Sequence, residues 1–204
     1  MTAPATASAP PAARPRTLPP HRVLGAVGVL GAPAFLVLVR GLLTPGPGGA
    51  IDPRGHLLML AYLAGWAASA VGLRRLRATG RVRGAGVVTA VQLTALALAA
   101  LQNVQDLAGR RPLGRPFYLV TDMAWPFSHL FLLVVFAAVW RARVWTAWRR
   151  WTPLLGGLVL PLTALGGATR WFSPDLAFAC GTALAFAALG LAVCTAPDTT
   201  GRAG

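Results

Sequence analysis

The chain contains no lysine and no glutamate. Charged residues make up 12% of its 204 positions, about half of the roughly 25% found in soluble domains. That shortage argues against a soluble enzyme and against a disordered chain. Two cysteines cannot staple a disulfide-rich secreted module. Without lysine there is no phosphate-cradling GxxxxGK[ST] loop, and neither HExxH nor GxSxG occurs. Three histidines and five acidic residues leave little material for a metal or haem centre.

Apolar residues are what the chain has instead. They make up 55% of it, and mean hydropathy is +0.60. Nineteen basic residues face five acidic ones, a net charge of +14. All the basic residues are arginine, and Ala, Gly, Leu, Val and Pro dominate the rest, as in the product of a GC-rich bacterial gene. The arginines punctuate long apolar runs, where membrane topology places them. Nucleic acid is therefore not expected as a partner; the lipid bilayer is.

Residues 1–20 hold six prolines and little apolar surface, which predicts a disordered Pro/Ala-rich tail. Six apolar stretches follow, each near the ~20 residues that cross ~30 Å of hydrocarbon. They are 23–43, 56–73, 84–105, 117–140, 152–169 and 176–196. The expected fold is all-α: a polytopic transmembrane helix bundle over 21–196, with 197–204 as a short C-terminal tail. Alternation of the kind a membrane β-barrel needs is absent. The first stretch is longer than the apolar region of a signal peptide, so it reads as an uncleaved helix. With both termini cytoplasmic, thirteen arginines fall on the inner side and five on the outer, with Arg40 inside span 1. That excess predicts this orientation in a bacterial cytoplasmic (inner) membrane. The 106–116 loop, with three arginines on the outer side, fits least well.

Ionisable groups inside spans are costly and are the first place to look for function. Span 4 places Asp122, Trp125 and His129 at i, i+3 and i+7, on one helix face. At ~1.5 Å per residue His129 lies near the bilayer centre. Ser128 adds a hydroxyl, and Pro126 frees the Asp122 carbonyl from its usual backbone bond. Span 3 ends in Gln102, Asn103, Gln105 and Asp106; His56 and Arg40 reach the same outer side. Two readings follow. In one, Asp122, His129, Trp125, Ser128, Gln102, Asn103, Asp106, His56 and Arg40 line a polar pocket open to the outer face. In the other, they form a hydrogen-bonded network that joins helices. Arg40 is expected to pair with Asp106 or Asp122.

His56, Asp122 and His129 form the one trio suited to a metal, but no compact ligand motif contains them, so neither metal nor cofactor is expected. Ser128 and His129 are adjacent and point about 100° apart, a poor nucleophile–base pair. Cys180 and Cys194, about 21 Å apart on one helix, cannot bridge. Small residues recur every fourth position at Ala64, Ala68 and Gly72, and at Ala179, Ala183 and Ala187, as in close helix packing within the chain or between copies. A homo-oligomer is left open. Trp140, Trp145, Trp148 and Trp151 surround the 141–151 segment, which reads either as a flat interfacial helix or as a turn with belt tryptophans.

The stretch TDMAWPFSHL (121–130), followed by RARVWTAWRRW and PLLGGLVLP, resembles small multi-pass bacterial membrane proteins of uncharacterised families. The resemblance covers about 40 residues of spans 4 and 5. It implies a multi-pass helical fold and carries no activity. The sequence thus predicts a non-enzymatic membrane protein. The alternatives are a small-solute or proton conduit using Asp122 and His129, and a membrane-embedded enzyme acting on a lipid or other apolar substrate.

Overall fold

A computed structural model describes residues 18–42, 53–109, 115–169 and 174–197, without the side chains of 40–42 and 174. The N-terminal tail, most of the C-terminal tail and the middle of the 106–116 loop lie outside the described residues. Those described are all-helical, and six helices are long and apolar enough to cross a membrane. They are α1 (Pro20–Leu42), α2 (Pro53–Arg75), α3 (Arg83–Leu107), α4 (Pro116–Ala142), α5 (Thr152–Thr169) and α6 (Pro174–Cys194).

Hydropathy located every helix but underestimated some of their ends. Helices α2, α4 and α6 each begin on a proline, whose fixed φ and missing N–H suit a first turn. In α2 and α6 these first turns carry polar residues ahead of the apolar runs. Pro33, Pro126 and Pro161 lie inside continuous helices. The segment after α4 is not a flat interfacial helix. Helix α4 runs on to Ala142, Arg143 turns the chain at φ 52°, and a five-residue 3-10 helix, Ala147–Trp151, leads into α5. Trp145 is buried, whereas Trp140, Trp148 and Trp151 stay exposed.

Each helix packs against its neighbours in sequence, and α6 returns to pack along α1, so the six form a ring. Tyr62, Trp66, Leu132, Phe186 and Leu189 fill its centre. Leucine, valine and phenylalanine also cover the outside, for example Leu30, Val87, Val120, Phe127, Leu162 and Leu184. An aqueous protein would hide such residues; a bilayer solvates them. The α2–α3 and α4–α5 turns share one end with the start of α1 and the end of α6, for Gly25 lies against Cys194 and Gly80 against Ala142. This is the arginine-rich end.

Candidate functional site

The polar residues separate into two groups at different depths. The first is at the end opposite the arginine-rich one. There His56 at the start of α2 meets Asn103 near the end of α3, with Nδ1 and Oδ1 3.0 Å apart. Asn103 Nδ2 donates to the Ala99 carbonyl at 2.9 Å and to Gln102 Oε1 at 3.2 Å. Its Oδ1 is thereby left to accept, and His56 Nδ1 is the donor. Gln102 Nε2 donates to Asp106 Oδ2 at 2.6 Å and to Tyr118 Oη at 3.4 Å. Tyr118 Oη donates to Asp106 Oδ1 at 3.0 Å. One chain of bonds therefore ties α2, α3 and α4, and the Asp106 carboxylate receives a donor on each oxygen.

The second group is in the middle of the bundle. The His129 side chain has no exposed surface. Its Nδ1 lies 3.2 Å from the Trp125 carbonyl, one turn back, and its Nε2 lies 3.3 Å from Tyr62 Oη on α2. A carbonyl only accepts, so Nδ1 carries the hydrogen. In the neutral ring Nε2 then accepts from the Tyr62 hydroxyl. Aromatic rings wall the imidazole: Trp125 and Trp66 stand edge-on at 4.6 and 4.8 Å, Phe186 at 5.5 Å and Phe178 at 6.0 Å. Three helices, α2, α4 and α6, contribute to one histidine through this box. Below it, Gln92 Nε2 is 3.5 Å from the Ser128 carbonyl. Ser128 Oγ donates to its own helix, at the Ala124 carbonyl 2.7 Å away.

Several expected partnerships do not form. Asp122 is exposed on the flank of α4, and no hydrogen bond joins it to His129. Both stand toward the margin of the buried face of α4. Tyr62, Trp66 and Phe186 cover that margin at the level of His129, but Asp122 lies nearly two turns closer to the helix end. His56, Asp122 and His129 do not converge, and among the described residues no three His, Cys, Asp or Glu side chains gather as metal ligands would. The Arg40 side chain, and so its pairing with Asp106 or Asp122, lies outside the described residues.

Among the described residues His129 is fully buried. The cavity beside Trp66 and Gln92 holds about 10 Å³, at the lower limit for one water. The large concavity, about 730 Å³, lies elsewhere, between α5 and α6, and its walls are mostly aliphatic. Sequence inspection missed Tyr62 and Tyr118, the only two tyrosines. The usable signal was that a tyrosine buried in a membrane span must place its hydroxyl on a partner. Comparison with known proteins finds no matching family model, no matching curated protein and no matching solved structure.

Proposed function

We propose that this chain is a non-catalytic, multi-pass protein of a bacterial cytoplasmic membrane, acting through what it binds, with polar residues that join its helices. One observation carries this reading. His129 spends both ring nitrogens on the protein inside an aromatic box, and the cavity beside Trp66 and Gln92 is scarcely water-sized. A conduit needs a chain of waters or titratable groups across the bilayer. The His56–Asn103–Gln102–Asp106–Tyr118 chain stays at one end. The arginine excess supports placing both termini on the cytoplasmic side.

Reconstitution into liposomes with an enclosed pH-sensitive dye separates this reading from the conduit. The expected result is a proton leak no larger than in empty liposomes, unchanged in Asp122→Asn. A protein-dependent flux abolished by Asp122→Asn or by His129→Ala would establish the conduit instead.

A further inference from the structure

Helices α5 and α6 meet less closely than α1 and α6. The groove between them is walled by Leu155, Leu162 and Leu165 from α5 and is floored by Ala177, Gly181 and Ala185 of α6. A Cβ at Gly181 would only just touch Val159, at 3.5 Å, so the small side chains make depth without closing the gap. The lining runs over twelve residues of each helix, 155–166 and 177–188, or about 16 Å. That is about half of a ~30 Å hydrocarbon core. The length suits an acyl chain of one leaflet and is short for a spanning helix of a second copy.

The groove also has a charged end. The 3-10 helix before α5 carries Arg149, whose Nη2 donates to the Thr195 carbonyl just past the end of α6 at 3.1 Å. Arg149 thus bridges the same two helices that wall the groove. It stands six residues from Leu155, about 9 Å along the axis, where a headgroup lies above its chain. Exposed Trp148 and Trp151 flank it, as interfacial tryptophans do. The described acidic residues, Asp106, Asp122 and Asp175, all lie toward the opposite end. The arginine-rich end therefore has no carboxylate among the described residues, and Arg149 is set to take an anion there.

We propose that the α5–α6 groove seats one acyl chain of an anionic phospholipid, with its phosphate held by Arg149. This rests on the membrane reading above. The test begins with flotation of the purified full-length chain with phosphatidylglycerol and phosphatidylcholine vesicles; a chain that floats with neither would overturn the membrane reading itself. Native mass spectrometry then counts lipids retained by the detergent-solubilised protein. Retention of one phosphatidylglycerol over phosphatidylcholine is expected. Arg149→Gln should weaken it about fivefold, the size of one arginine–headgroup contact, and Arg149→Lys should restore most of it. Gly181→Leu, which fills the groove and leaves Arg149 in place, should abolish retention. Thermal unfolding confirms that each variant is folded. Equal retention of both lipids, or full retention in Gly181→Leu, would overturn the proposal. So would a protein dimer that Gly181→Leu dissociates with lipid retention unchanged.

Discussion

Tyr62 fixes His129 in one orientation and supplies the only side-chain hydrogen bond described for its ring. Removing that hydroxyl leaves Nε2 a buried acceptor without a donor. Tyr62→Phe should therefore lower stability by about 1 kcal/mol, read as a drop in unfolding temperature in detergent. An unchanged temperature would show that the 3.3 Å contact contributes nothing. His129 itself was legible in the sequence, because an ionisable residue deep in an apolar run is conspicuous. Its partner was not. Tyr62 lies 67 positions away on another helix, and its hydroxyl has meaning only once α2 and α4 are side by side. The Asp122–His129 pairing failed for a related reason. Helical spacing fixes the direction a side chain leaves its own helix, whereas neighbouring helices decide what covers it.

Glycine sets how closely α1 can approach its neighbours. A Cβ on Gly190 of α6 would stand 2.6 Å from the Val29 nitrogen, and one on Gly31 of α1 would stand 2.8 Å from the Ala61 carbonyl oxygen. Backbone is thus packed on backbone, where no flexible side chain can yield. Gly190→Ala should cost about 1–3 kcal/mol through overpacking. Gly84→Ala, where a Cβ meets nothing within 4 Å, should be neutral or slightly stabilising. Equal unfolding temperatures for the two variants would contradict the close α1–α6 contact. Small-residue spacing in the sequence was a partial guide. Of the Ala64, Ala68 and Gly72 stripe, Ala64 is exposed and only Gly72 is buried. The closest approaches are made by glycines of α1, α2 and α6. Four-residue periodicity is abundant by chance in an alanine-rich chain, and only contact selects the members that matter.

Across the whole bundle, six helices long and apolar enough to cross a membrane were legible because length and composition mark them directly. The two ends differ in charge, and that difference should orient the bundle. With Cys180 and Cys194 replaced, a cysteine at Arg81 should react with an impermeant reagent only from the cytoplasmic side, and one at Arg54 only from the other. The reverse pattern would overturn the proposed orientation. How the spans close on one another was hidden, since nearly every face of every helix is apolar and no stripe marks the inward side. That ambiguity left both an open polar pocket and a helix-joining network as readings of the sequence; in the structure aromatic rings surround His129.

The aromatic centre around His129 should be dry. Water contact at His129 measures it directly, by water-edited 15N NMR of histidine-labelled protein in bilayers, with signals assigned by replacing His21 and His56 in turn. His56, in the polar network at the bundle end, should exchange magnetisation with water, and His129 should not. A His129 signal that builds up from water as fast as that of His56 would contradict the claim and reopen a path through the bundle.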